Sequence, residues 1–103
     1  MGYTPITLDK VRNFRYGMKA ISMIEKKLKT KVSKMDFDAM SMEDLATVIW
    51  AGLAHEDKNL TPDKVMNLVD EYSNVQAVVE VMGQAFNEAF GTEVTEEKAE
   101  SKN

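Results

Sequence analysis

The sequence predicts an all-α protein: one small domain of about four helices, with a short extended N-terminal segment and a disordered acidic C-terminal tail. Apolar residues recur every three or four positions over most of the chain, which is typical of amphipathic helices. Helix-start signals stand at Ser41 and at Thr61-Pro62-Asp63. The 103 residues, of which 44% are hydrophobic, are enough for one modest core. We therefore expect a helical domain over residues 1–91 and a tail over residues 92–103.

The N-terminal region contains one ambiguous segment and one predicted helix. Residues 3–8 are short and interrupted by proline, so an edge strand and an extended lead-in both stay open. From Asp9, a candidate cap, to about Leu28 the pattern is helical. Its apolar face contains Phe14, Met18, Ile21, Ile24 and Leu28. A neighbouring basic stripe on the same predicted helix consists of Arg12, Arg15, Lys19 and Lys26 and is expected to face solvent or a partner.

The second predicted helix begins after a linker over residues 35–40 that has room for one helical turn. Ser41 is its expected cap, and Asp44 stands where the acid of a capping box would be. Trp50 lies at the margin of its apolar face, which consists of Met42, Leu45, Ala46, Ile49 and Leu53.

The third and fourth predicted helices are separated by Ser73-Asn74, which ends one and caps the other. The third runs from about Pro62 to Tyr72. The fourth, residues 75–90, has the clearest amphipathic pattern of the chain. Gly91 is suited to the left-handed conformation that often ends a helix. Beyond it the sequence is charged and almost without apolar anchors, so we expect disorder.

Catalytic and metal sites are not predicted. The chain has no cysteine and one histidine, His55, so it offers neither a thiolate metal site nor a histidine relay. Residues 57–68 begin like a calcium loop but place Pro62 and Leu68 where that loop needs glycine and glutamate. We therefore expect no enzyme, no cofactor and no metal. No apolar run approaches the roughly 18–20 residues of a membrane span, so no membrane contact is expected either.

The five glycines are isolated and form no phosphate-binding loop. Gly17, Gly52 and Gly83 fall inside predicted helices, where each costs about 1 kcal/mol relative to alanine. We expect them to permit close helix packing.

The net charge of −4 is distributed unevenly. Residues 1–35 contain nine basic and two acidic residues, a net charge of +7, whereas residues 36–103 contain four basic and fifteen acidic residues, a net charge of −11. One explanation of this asymmetry is that the opposite charges pair within the fold. The other is that they bind another copy of the chain, in a homo-oligomer, or a charged partner. The acidic remainder disfavours nucleic acid, and no nucleic-acid-binding motif accompanies the basic stripe. A small DNA-associated or regulatory helical protein that uses this stripe is nevertheless the alternative function.

Large apolar side chains at the edges or ends of the predicted stripes are the candidate partner-binding residues. They are Trp50, Met66, Phe86 and Phe90. Aromatic and flexible side chains dominate protein interfaces, whereas in many proteins such residues belong to the core. Both interpretations stay open for these four.

Five stretches carry small and apolar residues in a distinctive order: Ile6–Leu8, Asn13–Ile21, Ile24–Leu28, Trp50–Leu53 and Leu60–Pro62. Together they resemble the tail assembly chaperones of long-tailed bacteriophages and prophages, over roughly residues 6–90. The resemblance implies a small, mainly helical, non-enzymatic protein that binds the tape measure protein and keeps it soluble until the tail tube polymerises. It also implies a place in the host cell cytoplasm, absence from the mature virion, and the tail tube protein as a further candidate partner.

Overall fold

The computed structural model describes residues 3–90, which form two short strands and four α-helices. In chain order these are β1 (Thr4–Thr7), β2 (Val11–Phe14), α1 (Met18–Leu28), α2 (Met42–Leu53), α3 (Pro62–Tyr72) and α4 (Val75–Phe90). Two 3-10 turns, Val32–Lys34 and Phe37–Ala39, connect α1 to α2. The four helices are confirmed, but the two strands make the protein mainly helical and not purely all-α. The predicted tail, residues 92–103, and Gly91 lie outside the described residues.

The two strands form an antiparallel hairpin joined by a three-residue loop, with Thr4 opposite Phe14 and Thr7 opposite Val11. Side chains alternate between the two faces of the hairpin, and its buried face carries Ile6, Arg12 and Phe14. The open question about residues 3–8 is thereby answered, because most of them form a strand. This strand lies against α4, where the Thr4 hydroxyl donates a hydrogen bond to Glu88 Oε1 at 3.3 Å.

The prediction of one helix from Asp9 to about Leu28 is wrong over its first half. α1 begins only at Met18, after Gly17 as an extended N-cap. Asp9 caps no helix, since its carboxylate accepts hydrogen bonds from Nε and Nη2 of Arg12, each at 2.9 Å. Arg12 is buried in β2 and also donates to Asp57 Oδ2 at 3.4 Å. Because its charge is paired, an arginine can occupy an inward position of β2. An apolar residue at that position would have produced the alternating apolar and polar pattern by which a strand is recognised in a sequence.

Three predicted helix starts are confirmed by side-chain caps. The Ser41, Thr61 and Asn74 side-chain oxygens accept hydrogen bonds from the backbone N–H groups of Asp44, Lys64 and Ala77. Each cap satisfies a backbone donor that has no partner inside its own helix.

Helix α2 is the centre of the fold. Its buried residues are Leu45, Ala46, Val48, Ile49, Ala51, Gly52 and Leu53. α1, α3 and β2 all contact this helix. The Arg15 N–H donates to the Gly52 carbonyl at 2.9 Å, so the chain that follows β2 runs directly over the helix. A β-carbon on Gly52 would lie 2.5 Å from Cζ of Tyr16, which confirms the prediction of close packing for this glycine. The prediction is wrong for Gly17, which precedes α1 as its N-cap, and for Gly83, because neither has a close neighbour at its β-carbon position.

Tyr16 fills the space above Gly52. Its hydroxyl donates to the Val48 carbonyl at 2.8 Å, and its ring stacks on Phe86 with centroids 4.2 Å apart. Burial raises the pKa of the Tyr16 phenol well above its ordinary value.

The raised pKa of Tyr16 predicts a loss of stability at alkaline pH. The contribution of Tyr16 is complete below about pH 10, where the unfolded chain begins to ionise, and falls by up to about 1.4 kcal/mol per pH unit above it. Denaturant unfolding of the wild type and of Tyr16→Phe between about pH 8 and about pH 11 measures this effect. The phenylalanine variant should be less stable by about 0.5–1.5 kcal/mol at the lower pH and lose less as the pH rises. Parallel losses in both proteins would contradict the prediction.

Candidate partner-binding surface

Trp50 is half-buried and held in place by the protein itself. Its indole N–H donates to the Leu60 carbonyl at 3.0 Å, which ties α2 to the loop before α3. The Lys27 ammonium lies 5.5 Å from the centroid of its ring. Trp50 therefore has a structural role that is visible in the fold, and only one part of its ring is open to a partner.

Phe86 and Phe90 lie one turn apart on α4 but differ in exposure. Phe86 is 6% exposed and packs between Tyr16 and Phe37, so the prediction that a partner could reach it is wrong. Phe90 is 53% exposed and stacks on Phe86 with centroids 5.9 Å apart. Phe90 lines the same surface hollow as Met18, which is 92% exposed at the start of α1, so these two side chains offer an apolar patch to solvent.

Met66 lines an apolar groove of about 190 Å³. The walls of the groove are formed by Met42 and Ile49 of α2, by Met66, Val69 and Asp70 of α3, and by Val75 of α4. Met42 and Val75 are about half exposed at its edge, and Met66 is partly buried. Met66 thus lies in a concave apolar site between three helices, the type of surface that receives a side chain of a partner.

The groove is also lined by residues that were not predicted from the sequence to bind a partner. Met42 and Val75 both match the apolar pattern of their helices and so look like core. Each is, however, the first residue of its helix, one turn before the buried positions begin. An apolar residue at a helix start is therefore the signal that could have identified them.

The predicted basic stripe does not exist as one helix face. Arg12 is buried in β2, where it pairs with Asp9 and Asp57. Arg15 follows β2 and places its guanidinium 5.8 Å from the centroid of the Tyr3 ring. Only Lys19 and Lys26 lie on α1, and both are exposed. The prediction of the stripe is wrong because Arg12 and Arg15 precede the observed start of α1 at Met18.

Arg12 makes all of the ion pairs found within residues 3–90. Its contact with Asp57 is the one such pair that joins the basic first third of the chain to the acidic remainder. Internal pairing within this region therefore accounts for little of the charge asymmetry, and the lysines of α1 are available to an acidic surface.

We predict that copies of the protein associate at low salt through this asymmetry. The oppositely charged segments attract one another between molecules, and salt screens that attraction over about 8–10 Å at physiological ionic strength. Sedimentation velocity at low and high salt measures the effect, with Lys19→Glu/Lys26→Glu as the variant that should stay monomeric. A wild-type chain that is monomeric at both salt concentrations would show this prediction to be wrong.

His55 lies just beyond α2 and contacts the hairpin. Its Nε2 donates to the Asn13 carbonyl at 2.7 Å, and its ring stacks on Tyr3. No group of three potential metal-ligating side chains lies close enough to hold a metal within residues 3–90. Each helix of the described part of the chain falls short of the length and apolar character of a membrane span.

Comparison with protein-family models, with curated proteins and with solved structures finds no match to this chain.

Proposed function

We propose that this protein is a tail assembly chaperone of a long-tailed phage or prophage. In this proposal it binds the tape measure protein in the host cell cytoplasm and keeps it soluble until the tail tube polymerises around it. The observation that carries the proposal is the apolar groove between α2, α3 and α4, with Met42, Met66 and Val75 at or near the surface. The resemblance of residues 6–90 to this class of chaperone supplies the identity of the client.

The groove fits a helical client. A tape measure protein is a long helical chain with much apolar surface exposed before assembly, and an amphipathic helix can place its apolar face in a groove of this kind. The open patch of Met18 and Phe90 offers a second apolar contact at the other end of α4. Two separate apolar surfaces on a small domain suit a protein that covers a longer chain.

The size of the groove suits a contact that must later be released. Burying one large apolar side chain contributes about 1.5–3 kcal/mol, so a single occupied groove binds weakly. A copy that uses both the groove and the patch of Met18 and Phe90 makes two linked contacts with one client, and this linkage raises its overall affinity. The polymerising tail tube protein, the further candidate partner, could then displace the chaperone copies one at a time.

Co-expression with the tape measure protein of the same phage tests the function. The wild-type chain should increase the soluble fraction of that client and co-purify with it. Met66→Ser and Phe90→Ser should reduce client solubility while both variants stay folded, with melting temperatures lowered by no more than about 4–8 °C, because both side chains are at least partly exposed. Trp50→Phe is the control that keeps an aromatic ring and loses the hydrogen bond to Leu60. If the wild-type chain neither co-purifies with the tape measure protein nor increases its solubility, the proposed function is wrong.

A further inference from the structure

Asp70 lines the apolar groove, and Asp63 stands two turns before it on α3; we call these two exposed carboxylates the acidic rim, and we propose that the occupant of the groove is a basic amphipathic helix. This helix places one apolar anchor in the groove and a lysine or arginine beside Asp70 and Asp63. The proposal rests on the proposed function for the source of the helix, the tape measure protein, and on the groove alone for its chemistry.

The volume of the groove sets the size of the anchor. A cavity of about 150 Å³ accommodates a benzene ring, and the groove measures about 190 Å³. One leucine, methionine or phenylalanine side chain therefore fills it. The remaining apolar residues of the incoming helix would contact the half-exposed side chains of Met42 and Val75 at the edge.

The charges around the groove set the polar half of the partner. Asp70 is the one charged residue among its described lining residues. Asp63 stands three residues before Met66 and Asp70 four residues after it, so both carboxylates flank Met66 along one stripe of α3. Lys64, the lysine of α3, donates through Nζ to the Asn59 carbonyl at 3.0 Å. No ion pair involves Asp63 or Asp70 within residues 3–90, so a cation on the partner would meet two carboxylates that no described side chain neutralises.

The sequence of residues 91–103 does not have the charge that this groove favours. Residues 91–103 follow Phe90, which lies about 22–24 Å along α4 from Val75. Their sequence carries four glutamates and two lysines, so it has the same sign of charge as the rim. Like charges placed together oppose binding.

A second copy of the chain fits only in part. Its α1 is basic, but the apolar residues Ile21 and Ile24 of that helix are partly or fully buried in their own fold. Met18 is the one fully exposed apolar residue on α1, so this helix would bring one anchor at its end and no continuous apolar stripe. The groove therefore favours a helix from another protein.

Two labelled model peptides test the chemistry of the occupant with the full-length chain. Each is a helix-forming peptide of about 18 residues with leucine at positions i, i+3, i+4 and i+7. One carries lysine at the flanking positions and the other carries glutamate there. Fluorescence anisotropy should show that the lysine peptide binds about tenfold more tightly at low salt, and that this preference shrinks at high salt because the rim charges are exposed.

Four variants locate the binding to the groove. Asp70→Lys should lower the affinity for the lysine peptide and raise the affinity for the glutamate peptide, each by about three- to tenfold. Glu80→Lys makes the same change of net charge at an exposed position of α4 outside the groove and should leave the preference within about twofold. Met66→Ser should lower the affinity for both peptides. Met18→Ser, on α1, should leave both affinities unchanged.

Three results would overturn the proposal. The first is equal binding of the two peptides by the wild-type chain, or no binding of either. The second is an equal effect of Asp70→Lys and Glu80→Lys, which would assign the preference to net charge. The third is wild-type self-association that Met66→Ser abolishes, which would make a second copy the occupant.

The outcome also separates this inference from the proposed function. If the Asp70→Lys variant solubilises the tape measure protein as well as the wild type does, the proposed function stands and the proposal of a basic-helix occupant is wrong. If the wild-type chain fails to solubilise the tape measure protein but discriminates between the peptides through Asp70, the proposed occupant chemistry stands and the proposed function is wrong.

Discussion

Replacing Phe86 with alanine should lower the free energy of unfolding by about 3–5 kcal/mol. The side chain is 6% exposed and contacts Tyr16, Phe37 and Phe90, so its removal leaves a cavity between α4, the residues after β2 and the α1–α2 connection. Denaturant unfolding followed by circular dichroism measures the loss. If the alanine variant does not fold, Phe86→Leu, which keeps most of the volume, should still fold and show a smaller loss.

Phe90→Ala is the matched control for Phe86→Ala. Phe90 is on the same helix and one turn away, but it is 53% exposed, so its loss should lower the free energy of unfolding by only about 1 kcal/mol. Client solubilisation should fall with Phe86→Ala only as far as the variant unfolds. Equal losses of stability in the two variants would show that burial does not distinguish these positions.

Gly52→Ala should lower the free energy of unfolding by about 3 kcal/mol, although alanine is the better helix former. The added β-carbon would lie 2.5 Å from Cζ of Tyr16 and 2.8 Å from Cδ1 of Phe14. Tyr16 cannot move away freely, because its hydroxyl is bonded to the Val48 carbonyl of the same helix. Thermal and denaturant unfolding both measure the effect.

Gly83→Ala provides the opposite expectation for the same substitution. Gly83 is also inside a helix, but no atom from outside its own turn of helix lies within 4 Å of the position that its β-carbon would take. Alanine should therefore raise the free energy of unfolding by about 0.5–1 kcal/mol through helix propensity. A loss of stability at Gly83 as large as that at Gly52 would refute the explanation by close packing.

The parts of the fold that follow from local chemistry could be predicted from the sequence. α3 and α4 have the predicted bounds, because Thr61, Pro62 and Asn74 are strong local signals. The N-terminal hairpin could not be predicted in the same way. Phe14 stands four residues before Met18, so the helical period extends backwards into the strand. Arg12 can face inward there because its charge is paired with Asp9 and with Asp57, and the second of these lies 45 residues away in the sequence.

The candidate site was less predictable than the fold, because accessibility depends on what packs beside each helix. Phe86 and Phe90 belong to the same pattern in the sequence, yet one is covered by Tyr16 and the other is open. Met66 could be placed at the edge of a stripe, but the groove around it requires α2 and α4 to be positioned first. Gly52 has a packing explanation within the Trp50–Leu53 stretch, because a β-carbon there would meet Tyr16 and Phe14.

The contact between β1 and α4 determines when the domain can form during synthesis. Thr4 and Glu88 are 84 residues apart, near the two ends of the described domain, so the hairpin cannot reach its place against α4 until α4 has been translated. Contacts between distant parts of a chain are slow to form, and apolar surface that waits for them is exposed to aggregation and proteolysis. A chain that stops before α4 would leave Tyr16 without its stacking partner Phe86. We therefore expect copies that terminate before α4 to be degraded, so that the folded protein in the cell consists of chains translated through α4.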